Sequence, residues 1–315
     1  MKRISIIIII CLLLCSCGTT DNKSIQITDN GKPIVVATIF PQYDFMRAIA
    51  GDMADIYLLI PPGGESHSYE PSPSDIINIS KSDLFVYAGG NVDIWADKIL
   101  ESAEMDNSKA IALTDIVPLL CEHDHGEHHA DEGHRGEHHS EYDEHVWTSP
   151  VNAIKICQKL CEELCIIDPD NAENYRANCA KYVQELEKLD ASAREMVAGA
   201  KNKSIVFADR FPIRYFTDEY GLEYMAAFPG CATQTEPGPQ TLVKLIDKVR
   251  TEDIPVVFYQ EFSNEKVADL VCESTHAKKL LFHSCHNLSA EDFEKGETYI
   301  SIMNRNMQNL KEALN

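Results

Sequence analysis

PIVVATIFPQYDFMRAIAG, residues 33–51, decides the fold class. Pro33 to Phe40 is an apolar, β-branched run stopped by Pro41. Its length and composition predict a buried parallel strand. Residues 42–51 then take helical spacing and stop at Gly51. A strand that hands over directly to a helix is half of a βαβ unit, and the pattern recurs downstream.

Ile56 to Ile60 reads as a second strand, broken by Pro61-Pro62-Gly63-Gly64. Ser74 is placed to cap a helix through Ile76, Ile77 and Ile79. Leu84 to Ala88 is a third strand, Trp95 to Glu104 a helix and Ala110 to Leu113 a fourth strand. Pro150 to Leu164 is an amphipathic helix. From Asn171 to about Ala200 one helical pattern runs for roughly 30 residues, or about 45 Å. That is long for a globular helix and reads as a rigid connector between two lobes. Strands then recur at 204–208, 222–228, 255–259 and 279–282, and Tyr299 to Leu314 closes the chain as a helix. The expected fold class is α/β: two parallel-sheet lobes joined by a long rigid helix. The expected divisions are a first lobe at 33–168, a connector at 169–200 and a second lobe at 201–315. In such sheets ligands bind beyond the carboxyl ends of the strands.

The 315 residues suffice for two domains, and 44% hydrophobic content fits a globular protein. A net charge of -22 argues against nucleic acid as a partner. Lys2 and Arg3 precede an apolar run from Ile4 to Leu14, too short for a bilayer span and suited to a secretion signal at 1–16. The run ends in Leu14-Cys15-Ser16-Cys17-Gly18, which resembles a bacterial lipobox with Cys17 as the lipidated residue and Cys15 as the alternative. Residues 17–32 then form a polar tether. The expected location is extracytoplasmic, held to the cell membrane by lipid. Of 11 cysteines, eight remain beyond Cys17. Cys157, Cys161 and Cys165 share a helix face and read as buried core. With no CxxC pair, a zinc ribbon has no support.

Residues 121–141 hold seven of the 12 histidines among Asp, Glu and Gly, with almost nothing to bury. This tract is expected to be a surface loop that contacts metal, since imidazole suits zinc, copper and nickel. His145 follows in DEHVWTSP (143–150), where Val146, Trp147 and Pro150 restore structure. His67, His145 and His283 (or His286) each lie in a loop after a strand or at the junction of the lobes.

At these residues the chain resembles the zinc/manganese substrate-binding proteins of bacterial ABC importers, in their zinc branch. The resemblance rests on PPGGESHSYEPSPSDI (61–76), SDLFVYAGGNVDIW (82–95), the His-rich insertion, DEHVWTSP, YFTDEYGL (215–222), TEPGP (235–239) and YISIMNRNMQNLKEAL (299–314). It implies one metal in the inter-lobe cleft, with His67 and His145 as ligands. The family's third ligand histidine falls at Arg210 here, and guanidinium cannot ligate. A fourth family ligand comes from the loop after the late strand, where His283 stands. The expected set is His67, His145 and His283, completed by Asp209, Glu261 or water, with Arg210 pairing a carboxylate as the alternative role for Asp209. The expected function is capture of Zn2+, with Mn2+ as the second choice, and delivery by a monomer to a membrane permease. The rival readings are a zinc hydrolase using Glu261 or Glu65 as base, and an adhesin with an incidental metal tract. Ordinary imidazole basicity predicts that metal capture fails as pH falls through about 6.

Overall fold

The computed structural model describes residues 27–28, 30–90, 92–102, 109–121, 142–228 and 237–315. The signal, Cys17, most of the tether, residues 122–141 of the His-rich tract and part of TEPGP lie outside them. The ends of the tract, Cys121 and Tyr142, meet in an antiparallel bridge.

The first lobe contains β1 (Ile34–Ala37), α1 (Phe40–Ala50), β2 (Asp55–Leu58), α2 (Pro73–Lys81), β3 (Leu84–Tyr87), α3 (Ile94–Ser102) and β4 (Ala110–Ala112). Its sheet is parallel throughout, in the order β2-β1-β3-β4. Then come α4 (Pro150–Ile167) and α5 (Ala172–Ala198). The second lobe contains β5 (Ser204–Phe207), α6 (Arg214–Tyr220), β6 (Glu223–Ala226), α7 (Pro239–Thr251), β7 (Val256–Tyr259), α8 (Lys266–Ser274), β8 (Lys278–Leu281), α9 (Ala290–Glu294) and α10 (Tyr299–Ala313). Its sheet repeats the parallel pattern as β6-β5-β7-β8.

Local chemistry explains the departures from the sequence reading. The first helix begins at Phe40, with Pro41 in its first turn, so the strand ends earlier than the apolar run does. Proline is tolerated there because that N–H has no helical acceptor. Ser72, rather than Ser74, caps α2: its Oγ accepts from Asp75 N, and Asp75 Oδ2 accepts in return from Ser72 N. The short α9 escapes the sequence reading because five residues are too few for periodicity to show.

Central strands β1 and β5 are wholly buried, which is why their sequences are unbroken apolar runs. Alternate residues face opposite ways. Val36 and Phe85 pack outward under α2 and α3, whereas Val35, Leu84 and Val86 face the middle of the molecule. In the second lobe Val206 and Val257 face outward, and Ile205, Phe207, Val256 and Phe258 face the middle. The two inner faces share one continuous core with α1, α4, α5 and α10. Helix α5, 27 residues or about 40 Å long, packs on α4 and α1 at one end and on α6 and α10 at the other. Asp44, buried on α1, fastens this centre: it accepts from Tyr182 Oη of α5 at 2.9 Å and from Tyr299 N of α10 at 2.9 Å. Cys157 and Cys161 of α4 lie in the same core beside Cys179. No helix among the described residues is long and apolar enough to cross a membrane.

Candidate metal centre

In both sheets the strand order reverses between the two central strands, and a buried carboxylate ties the strand ends at each reversal. Asp93 accepts from Thr38 Oγ1 beyond β1 and from Ala88 N beyond β3. Asp209 accepts from Arg210 N beyond β5 and from Gln260 N beyond β7. The carboxyl ends of the two sheets therefore face a shared cleft, the position at which open α/β sheets bind ligands.

Three imidazoles meet in that cleft. His67 comes from the loop after β2, His145 from the turn before α4, and His286 from the loop after β8. One ring nitrogen from each lies within 4.8 Å of the others. Ring centroids are 5.1 Å apart for His67 and His286, 4.8 Å for His145 and His286, and 6.1 Å for His67 and His145. Two nitrogens sharing a tetrahedral ion at about 2.1 Å lie about 3.4 Å apart. The furthest pair thus has little more than an ångström to close.

Each ring is positioned by its surroundings. His145 Nδ1 lies 2.7 Å from Asp143 Oδ1, which also accepts from His145 N. That contact fixes the ring and directs Nε2 to a ligand. The backbone passes Glu144 closely at Gly90 (φ +67), where a Cβ would sit 2.9 Å from the Glu144 side chain. Trp147, fully buried, donates from Nε1 to Ser284 O of the second lobe and stacks edge-on to His286 at 4.9 Å. Asn287 reaches back from the second lobe to Pro61 O and Gly64 O, next to His67.

His67 Nε2 and His286 Nε2 are buried and meet no hydrogen-bond partner. Burial lowers His67 to about 4, helped by His145 and Arg210. Burial likewise holds His286 well below the ordinary imidazole value, with His145, His67 and Arg210 adding to the effect. Buried, unprotonated and unpaired nitrogens are the state in which imidazole binds a cation.

The other expected ligands have different tasks. His283 is turned away: its Nδ1 accepts from Cys285 N, its N donates to Asn306 Oδ1 of α10, and its ring stands 3.6 Å from Glu261. The left-handed turn at Cys285 (φ 64) redirects the chain, so that His286 rather than His283 joins the cluster. Both oxygens of Glu261 accept from Ser284, one from its N and one from its Oγ. Asp209 holds strand ends, as above. Arg210 does not ion-pair with Asp209 or Glu261; its guanidinium stands 3.9 Å from Glu65 at the rim. Asp143 is absent from the expected ligand set, and its only signal in the sequence is its place two residues before a candidate histidine in DEH.

Residues 35–313 match the model of a family described as ZnuA, zinc-uptake complex component A, periplasmic. The high-affinity zinc uptake system protein ZnuA of Bacillus subtilis is 32% identical over 96% of this chain and 94% of its own length. The chain belongs to this family. The zinc-binding lipoprotein AdcA of Streptococcus pneumoniae is 34% identical over 99% of the chain, which spans 61% of AdcA. The crystal structure of the Zn(II)-bound ZnuA-like domain of that protein matches with a TM-score of 0.75 and 31% identity, covering 90% of this chain and 99% of that domain. The family's description names zinc uptake. Glu261, one of the two bases the hydrolase reading offered, is engaged at both oxygens by Ser284.

Proposed function

We propose that the chain captures a divalent transition metal, Zn2+ first, outside the cytoplasmic membrane and hands it to an ABC permease. His67, His145 and His286 hold the ion, and a lipid on Cys17 keeps the protein at the membrane. The observation that carries this reading is the convergence of three buried imidazole nitrogens from both lobes within 4.8 Å. Nitrogen donors favour zinc over manganese, which prefers oxygen. The family description and the relatives' names, zinc-binding and zinc-uptake proteins, support the same cargo. The His-rich tract at 121–141 then serves as an accessory collector.

Zinc competition against a chelator tests the ligand set. His286→Ala should weaken tight binding about 100-fold or more, because losing even an outer partner of a ligand costs about 10–100-fold. His283→Ala should leave the tight site in place. The opposite ranking would reject His286 as the third ligand.

A further inference from the structure

Three neutral imidazoles complete only three corners of a tetrahedron, and the surroundings of the fourth are unusual. The cavity beside His67 and His286 is lined by Arg210, Glu65, Gln260 and Glu261. Its volume of about 20 Å³ admits an ion and little more than one atom beside it. No carboxylate joins the three-histidine group among the described residues. Glu261 is bound at both oxygens by Ser284, and Asp209 by two backbone N–H groups. The side chain left facing the cavity with positive charge is Arg210, whose guanidinium is only loosely matched by half-exposed Glu65 at 3.9 Å. Gln260 is 4% exposed, lines the same cavity, and has a side-chain oxygen that meets no partner. Turned over, its amide offers N–H to whatever enters.

A dication on three uncharged donors beside a guanidinium has an excess of positive charge that no carboxylate ligates directly: Asp143 stands behind His145, Glu261 is held by Ser284, and Glu65 faces Arg210 at the rim. We propose that the fourth coordination position is filled by a single-atom anion from solvent, of chloride type, held against the metal by Arg210 and Gln260. The cargo is then a cation–anion pair rather than a bare ion. This rests on the three-histidine site of the preceding section. No covalent bond is made or broken; the anion exchanges with the water that would otherwise complete the coordination.

Cobalt(II) as the metal and chloride as the anion provide the test. The full chain is loaded with one equivalent of Co2+, and the His67→Ala chain is the blank that subtracts cobalt held elsewhere. Chloride then replaces perchlorate at fixed ionic strength. The visible cobalt band should shift and saturate with chloride. Arg210→Gln should raise the half-saturating chloride by at least about tenfold, the loss expected of one charge-assisted contact, and Arg210→Lys should recover part of it. The band before chloride is added reports that each variant is folded and loaded. A band indifferent to chloride overturns the anion. A response that appears only in Glu65→Gln also overturns it, since Glu65 would then be the fourth ligand. Absence of any band distinguishing the chain from His67→Ala defeats the three-histidine site itself.

Discussion

Asp143 Oδ1 and His145 Nδ1 stand 2.7 Å apart, both side chains almost wholly removed from solvent. The carboxylate fixes which nitrogen of the ring faces the cleft, and it raises the basicity of that nitrogen. Asp143→Asn should therefore keep the fold and lose zinc affinity by about 10–100-fold. Competition calorimetry reads the loss. Unchanged affinity would mean that the ring is oriented by packing against Trp147 instead.

The depressed histidines move the expected pH window. With His67 at about 4 and His286 low as well, both rings stay neutral through pH 5. Protonation of His67 and His286 should therefore cost zinc affinity only toward pH 4, not through about 6 as ordinary imidazole predicts. Stability of the metal-free chain follows a different course. Below the ordinary value of 6.5 the unfolded chain carries a proton on His67 that the folded chain lacks, so acidification favours unfolding until about 4. Thermal melts of the metal-free chain should decline from pH 7 to 5, and less so in His67→Ala. A decline of the same size in His67→Ala would refute the low value for His67.

Asn287 bonds to Pro61 O at 2.8 Å and Gly64 O at 2.9 Å, so one amide nitrogen of the second lobe holds the loop that carries His67. Asn287→Ala removes two hydrogen bonds worth about 1 kcal/mol each. Metal binding should weaken by up to roughly 30-fold, with dissociation rather than association changed. Stopped-flow release of zinc to a chelator separates the two rates, and an unaltered release rate would count against the clasp.

Trp147 packs 4.9 Å from the His286 ring, and the chain has only one other tryptophan, Trp95. Metal bound to His286 should change the emission of Trp147 in a one-to-one titration. The change should vanish in Trp147→Phe and persist in Trp95→Phe. Persistence in Trp147→Phe would place the responding metal elsewhere.

The strands and helices were legible wherever a residue's burial is set by its own stretch. PIVVATIF reads as a buried strand because both of its faces are covered, and α5 reads as a long helix because nothing in it breaks the period. The partnership of His67 with His145 was legible through family motifs. The choice between His283 and His286 was not, because it turns on a left-handed residue, Cys285, at which composition gives no warning. Asp209 looked like a ligand for a similar reason. An aspartate beyond a strand end can clamp backbone or bind an ion, and only the position of Gln260 N decides between them.

The three ring nitrogens that meet within 4.8 Å set the terms of competition in the medium. An ion held by them exchanges at least three waters for nitrogen donors. Magnesium gives up its water reluctantly and gains little from nitrogen. An abundant oxygen-seeking ion therefore leaves the imidazoles to a scarcer one that recovers its hydration in nitrogen bonds.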